Sequence, residues 1–182
     1  MTNHDYFYFK NLYSIEQIKE LNFIIASLGN NDNHFDQPAV GKKANIKVFN
    51  TDVFDNILNS WKDAVNFANR SHFNFHIFDG FSKFTHINSY SPGDEYPWHR
   101  DSKNYGEKFD IKFTSILNIS QEEYQGGDFE LFLGEGNSGS IHQLHDPGTL
   151  LIFPSYLYHR VRPVTQGQRK TMNIWFEGPE FK

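Results

Sequence analysis

Tyr90-Ser91-Pro92-Gly93-Asp94-Glu95-Tyr96-Pro97-Trp98-His99-Arg100-Asp101 reads as the end of a strand, a tight turn and a return strand. Pro92 presets φ and Gly93 accepts a positive φ, which suits the two central positions of a type II turn. After the turn, His99 and Asp101 stand two residues apart, a spacing that puts both side chains on one face of a strand. An imidazole and a carboxylate aimed at one point are two ligands for a divalent metal, and they need a third.

His159 meets that need. It follows Gly148-Thr149-Leu150-Leu151-Ile152-Phe153-Pro154, a buried-strand run closed by a proline, and it precedes Val161, which again has strand character. His-x-Asp with a distant His is the donor set of a facial triad, which leaves three positions of an octahedral Fe(II) open. Alone the pair is a weak signal, because it also occurs as an ordinary turn or surface pair. Arg169 adds to it. The turn-rich segment from Arg162 to Gln168 lets His159 and Arg169 lie on neighbouring antiparallel strands. A guanidinium inside a metal pocket is costly unless an anion meets it. A dicarboxylate chelating the metal at one end would offer its far carboxylate to that fork, and the charges would balance.

Several motifs in order then resemble the Fe(II)/2-oxoglutarate dioxygenases of the prolyl 4-hydroxylase-like family. They are Tyr90-x-Pro92-Gly93-x-x-Tyr96-x-x-His99-x-Asp101, Gly126-Gly127-Asp128-Phe129-x-Leu131, Pro147 to Ser155, and His159-x-Val161-x-Pro163-Val164 with Arg169. The resemblance covers residues 80 to 179. It implies a double-stranded β-helix, or jelly roll, with iron on His99, Asp101 and His159 and the distal carboxylate of 2-oxoglutarate on Arg169. It also implies that Tyr90 hydrogen-bonds the cosubstrate and that Trp175 lines the pocket. Related enzymes place a hydroxyl-bearing side chain against 2-oxoglutarate from the strand after Asp110; Asn118 and Thr114 are both open for that role. O2 completes the reactants, and ascorbate is the expected accessory reductant.

Composition narrows the class. A chain of 182 residues fits one domain with a sizeable core. The aromatic fraction of 17%, with 19 Phe, suggests large rings packed between sheets. With no Cys there is no disulfide and no thiolate chemistry. Mean hydropathy is −0.62 and no apolar run approaches the ~20 residues of a membrane span. Met1 to Lys10 lacks a signal-peptide pattern, so a cytoplasmic location is expected. The net charge of −5 argues against a nucleic-acid partner.

Along the chain, mainly β structure with N-terminal helices is expected: helical support over 1–72 and a jelly-roll core over 73–179, in a single oxygenase domain. Residues 6 to 9 read as an edge strand. Ser14 with Gln17 makes a capping box and Gly29 suits the C′ position; Ile15, Ile18, Leu21, Ile25 and Leu28 form one stripe between them. Residues 29–45 are long and polar enough to be a lid over a substrate, with Phe35, Lys42 and Lys43 as contacts. A second helix is expected from a Thr51 or Asp52 N-cap to about Asn69. Phe73 to Phe78 and Phe81 to Tyr90 read as strands joined by an Asp79-Gly80 hairpin. Further strands are expected at 111–120, 128–133, 140–144, 149–153, 159–162 and 170–177. His72, His76 and His86 read as bystanders. His142, His145 and Asp146 form the one rival metal cluster, weakened by the turn at Asp146-Pro147-Gly148.

The expected reaction is hydroxylation of a C–H bond, foremost of a prolyl residue in a peptide or protein, coupled to conversion of 2-oxoglutarate to succinate. Asp101 argues against a halogenase, which leaves that position to chloride. Arg100, Trp175 and Tyr96, with Tyr156 and Tyr158, are the candidate substrate-pocket residues. The alternatives are an oxygenase acting on a free amino acid or other small molecule, a zinc hydrolase with Glu95 or Glu177 as base, a non-catalytic jelly-roll binding module, and a nucleobase demethylase, disfavoured by the acidic balance.

Overall fold

A computed structural model describes residues 5–28, 34–36, 44–101, 108–134 and 138–181. Numbered along the chain, its strands form a seven-stranded antiparallel sheet in the order β1 (Phe7–Phe9), β10 (Leu150–Pro154), β6 (Asp110–Asn118), β13 (Arg169–Gly178), β4 (Phe84–Tyr90), β3 (Asn45–Asn50) and β2 (His34–Asp36). A four-stranded sheet faces it: β5 (Tyr96–His99), β11 (His159–Val161), β8 (Phe129–Phe132) and β9 (Ser138–Ser140). A third pair joins β12 (Val164–Gln166) to β7 (Gln125–Gly126). This is the expected jelly-roll architecture of two sheets over one core.

The period-2 pattern explains the layering. On β13, Met172, Ile174 and Phe176 point toward two helices, α1 (Ile15–Leu28) and α2 (Asp55–Ala68), and join a core with Phe54, Leu58 and Trp61. The intervening residues of β13 point the other way, into the space between the sheets. β10 is buried on both faces, which is why its sequence is an unbroken apolar run. Leu150 and Ile152 pack under the helices, Leu151 and Phe153 between the sheets. The capping box forms: the Ser14 N–H donates to Gln17 Oε1 at 2.8 Å and the Gln17 N–H to Ser14 Oγ at 3.3 Å. The turn at Pro92-Gly93 also forms, with Gly93 at φ 89° and the Asp94 N–H donating to the Ser91 carbonyl at 2.9 Å.

Several local expectations are corrected. No strand occupies 74–83, so the Asp79-Gly80 hairpin is absent. Instead α2 runs through a π turn (Asn69–Phe73) into Asn74 at φ 53°. The Asn69 carboxamide then brackets Phe75, donating to its carbonyl at 2.9 Å and accepting its N–H at 2.8 Å. Alternating Phe rings here bury against Phe113 without a ladder, so the period misled. The second helix starts through a 3-10 turn (Thr51–Phe54) with no side-chain cap. The segment expected as a strand at 140–144 is β9 followed by a 3-10 turn (His142–His145). The stretch between the supposed lid and the second helix, for which no element is expected, is β3, where Ile46 and Val48 alternate with Lys47. Gly29 and most of the supposed lid, including Lys42 and Lys43, lie outside the described residues. Among the described residues no helix is long and apolar enough to cross a membrane.

Candidate metal centre

The turn at 91–94 returns the chain antiparallel to β11, where His99 stands directly opposite His159. Each ring is oriented by a nearby carbonyl: His99 Nδ1 lies 2.9 Å from the Pro97 carbonyl and His159 Nδ1 3.1 Å from that of Leu157. With the proton on Nδ1, that contact leaves the Nε2 lone pair of each ring free to bind a metal. Asp101 was expected on the same strand as His99. It lies two residues past the end of β5, held by its backbone N–H on the Ser155 carbonyl at 3.0 Å. One donor atom each from His99, Asp101 and His159 fall within 4.8 Å of one another. Among the described residues no other such group forms. One nitrogen from each histidine and one carboxylate oxygen on a triangle suit Fe(II).

Asp101 is itself held. Thr114 donates to its Oδ2 at 2.7 Å and the Trp175 indole N–H to the same oxygen at 2.9 Å. Burial works to raise the Asp101 pKa; His159, His99 and the two donated hydrogen bonds outweigh it and hold the carboxyl below its usual range. Oδ1 receives neither donor. Trp175 therefore supports the carboxylate as well as lining the cavity. Thr114 is committed to Asp101 and does not line the cavity.

Arg169 is 1% exposed and lines the same cavity. It was expected beside His159 on a neighbouring strand. β11 and β13 instead belong to different sheets, so the two side chains face each other across the interior. The guanidinium carbon lies 5.2 Å from the Tyr90 ring centroid, and both Tyr90 and Tyr124 hydrogen-bond Arg169. Burial raises the pKa of each phenol against the lowering effect of that cation, so both stay protonated near neutral pH. Burial, with Asp101 and Tyr90 nearby, raises that of Tyr96 too.

Asn118 does not line the cavity. Its amide nitrogen donates to the Leu144 and His145 carbonyls, each at 2.8 Å, and reaches Tyr124 Oη at 3.4 Å. Arg100 is exposed, 5.7 Å from the Tyr158 ring, and is not part of the cavity wall; Tyr156 and Tyr158 are 45% and 47% exposed. Tyr96 and Trp175 do line the cavity, while Glu95 and Glu177 do not, so a hydrolytic reading lacks its base. The rival cluster separates: His145 Nε2 lies 3.0 Å from Asp128, and Asp146 accepts from Lys10 at 3.1 Å.

Tyr124, Asn88 and Asn173 are absent from the expected site residues, and His86, expected as a bystander, belongs to the cavity wall instead. Tyr124 comes from a loop with no period to flag it. His86 sits edge-on to Trp175 at 4.6 Å and lines the cavity. The strand alternation of Tyr90, Asn88 and His86 was the available signal.

A sequence profile described as the 2OG-Fe(II) oxygenase superfamily matches residues 85–177. A PKHD-type hydroxylase of Idiomarina loihiensis is 37% identical over 93 residues, which is 50% of this chain and 40% of that protein. The chain therefore matches well under half the length of this curated relative. Among solved structures, a Pseudomonas putida prolyl-4-hydroxylase aligns with TM-score 0.73 at 18% identity, over 97% of this chain and 94% of that one. A Trichoplax adhaerens prolyl hydroxylase, solved with a hypoxia inducible factor oxygen degradation domain peptide, aligns with TM-score 0.71 at 18% identity, over 96% and 84%. At those identities the structural likeness speaks for the fold.

Proposed function

The chain belongs to the 2OG-Fe(II) oxygenase superfamily, and on that premise we propose that it hydroxylates a C–H bond, foremost of a prolyl residue in a peptide or protein, while 2-oxoglutarate is converted to succinate. The observation that carries the reading is the convergence of His99, Asp101 and His159 within 4.8 Å in the cavity that also buries Arg169. The chain serves as one oxygenase domain in which α1 and α2 support a catalytic core over 73–179, and β1, β2 and β3 of the N-terminal part extend its larger sheet.

His99, Asp101 and His159 are the proposed iron ligands, with Nε2 of each histidine and Oδ1 of Asp101 as donors. Fe(II) held there, with 2-oxoglutarate and O2, would supply the oxidising chemistry, in which one oxygen atom goes to the substrate, the other to succinate, and CO2 leaves. Thr114 and Trp175 fix the carboxylate so that one oxygen stays available. Arg169 is the proposed partner of the distal carboxylate of 2-oxoglutarate, and the protonated Tyr90 and Tyr124 are positioned to add donors. Ile116, Phe129 and Val161 wall the cavity and exclude water. The peptide class rests on the relatives: a hydroxylase name on one side, a peptide-bound prolyl hydroxylase on the other. A free amino acid remains the second substrate class.

Replacing Arg169 tests the reading. Arg169→Ala removes a charge-assisted fork and should raise the 2-oxoglutarate half-saturation by roughly 100-fold. Fe(II) binding, followed by calorimetry, should stay within about twofold of the parent, because Arg169 touches none of the three ligands. An unmoved 2-oxoglutarate requirement would show that another cation holds the cosubstrate. Substrate class is read by mass spectrometry of proline-containing peptides after incubation with Fe(II), ascorbate and 2-oxoglutarate, as the gain of one oxygen atom.

A further inference from the structure

Four buried side-chain oxygens or nitrogens among the described residues have no hydrogen-bond partner, and two of them line the metal cavity: Oδ1 of Asn88 and Oδ1 of Asn173. Asn88, on β4, is 5% exposed. Asn173 is on β13, next to β4. In the ladder Asn88 stands opposite Thr171 and Asn173 opposite His86, so the two carboxamides are diagonal neighbours on one face. That face runs from Arg169 at one end to Trp175 at the other. The Asn88 carboxamide lies beside the Tyr90 hydroxyl, and its oxygen has no partner on the cavity wall.

Buried carbonyl oxygens are seldom left unpaired, and a cluster of them at a cavity wall implies a donor that arrives with a ligand. 2-Oxoglutarate cannot be that donor, since every oxygen of the dianion is an acceptor. Arg169 can only donate, so the Tyr90 and Tyr124 phenols accept from it and keep their own protons, yet neither phenol is a partner of these two oxygens. Resting on the oxygenase reading above, we infer that Asn88 and Asn173 are the acceptor pair for N–H groups that the primary substrate carries beside its oxidised carbon. A prolyl ring within a peptide has no N–H. The donors then come from the backbone amide that follows the proline, or, in a free amino acid, from the ammonium group. Both present the same chemistry to the two oxygens.

Equilibrium binding separates the sources without any turnover. The full chain, charged with Fe(II) and 2-oxoglutarate under argon, is titrated calorimetrically with three probes: the blocked peptide acetyl-Ala-Pro-Gly-Ala-amide, its depsipeptide analogue with an ester oxygen in place of the N–H after proline, and free L-proline. The expected result is that the peptide, or free L-proline, binds at least about tenfold more tightly than the depsipeptide, the cost of presenting an oxygen to an unpaired acceptor. Tight peptide binding assigns the donors to the backbone, and tight L-proline binding assigns them to the ammonium. In Asn88→Leu/Asn173→Leu the advantage should fall to within about twofold, whereas Asn88→Asp, which keeps an acceptor, should retain it. Where the double variant does not fold, Asn173→Leu alone carries the comparison. Equal binding of peptide and depsipeptide without binding of L-proline would mean that the oxygens hold only water, and would overturn the inference. So would an advantage that survives both leucines, or no binding by any of the three probes. Failure to take up 2-oxoglutarate before a probe is added would strike the oxygenase reading instead.

Discussion

The two faces of β13 are built from alternate residues of one strand and differ in everything else. Met172, Ile174 and Phe176 are each at most 1% exposed and join the hydrophobic core beneath the helices. Arg169, Thr171, Asn173 and Trp175, one step away, form a polar wall facing three metal-ligand candidates. The dry face supplies stability through burial and close packing. The polar face holds a buried cation and an unpaired amide oxygen, each unfavourable until a ligand arrives, and an indole that donates to Asp101. A strand buried on both sides can therefore hold costly chemistry on one face because the other secures it.

The largest effects should separate the faces. Phe176→Ala is expected to lower stability by about 3–5 kcal/mol, read by denaturant unfolding. Asp101→Ala should abolish 2-oxoglutarate turnover while stability moves by no more than about 1 kcal/mol. Loss of folding in the second, or full turnover, would erase the division of labour. A smaller effect sharpens it: Trp175→Phe and Thr114→Val each remove one donor from Asp101 Oδ2 and should weaken Fe(II) binding about 10- to 100-fold. Unchanged metal affinity in both would mean that the carboxylate needs no such support.

Next comes the backing of Arg169. Gly127 has φ +65°, and a Cβ there would lie 2.9 Å from Arg169 Cδ and 3.0 Å from Val164 Cγ2. Gly127→Ala should raise the 2-oxoglutarate half-saturation severalfold, with a folding cost of about 1–2 kcal/mol for the left-handed alanine. An unaltered half-saturation would show that Arg169 tolerates the push.

The smallest effect lies on the dry side. Burial pushes the Tyr13 phenol up to about 12 against a backbone hydrogen bond at Trp61 that favours the phenolate, while its own hydroxyl donates to the Ile57 carbonyl at 2.6 Å. Below its ordinary value of 10.0 both folded and unfolded chains keep the proton, so no pH dependence arises. Between pH 10 and about 12 only the unfolded chain loses it, and stability falls as pH rises. Tyr13→Phe should flatten the unfolding free energy across that window; an equal slope in both proteins would assign it elsewhere.

Much of this was legible along the chain. His99, Asp101, His159 and Arg169 were recognisable because each is flagged by neighbours within a few residues: a turn, a buried run ended by proline, a strand onset. The capping box and both helical stripes were legible for the same reason, since helix periodicity and capping are local. The Asp79-Gly80 hairpin was misread because alternating Phe rings satisfy burial as well in an irregular segment as in a strand. Asn118 and Thr114 share the face expected for them, yet both are consumed by other partners.

What the sequence by itself determined is therefore the donor set and the alternation that keeps one face of each strand dry. Tertiary structure alone decided that His159 and Arg169 face each other from opposite sheets, and that Asp101 reaches the metal site from beyond its strand. It also brought Tyr124 to Arg169 and left two asparagine oxygens waiting in the cavity. Those facts depend on pairing between segments far apart in the chain, and register and sheet stacking are set by the sum of all the packing, which no local spacing encodes.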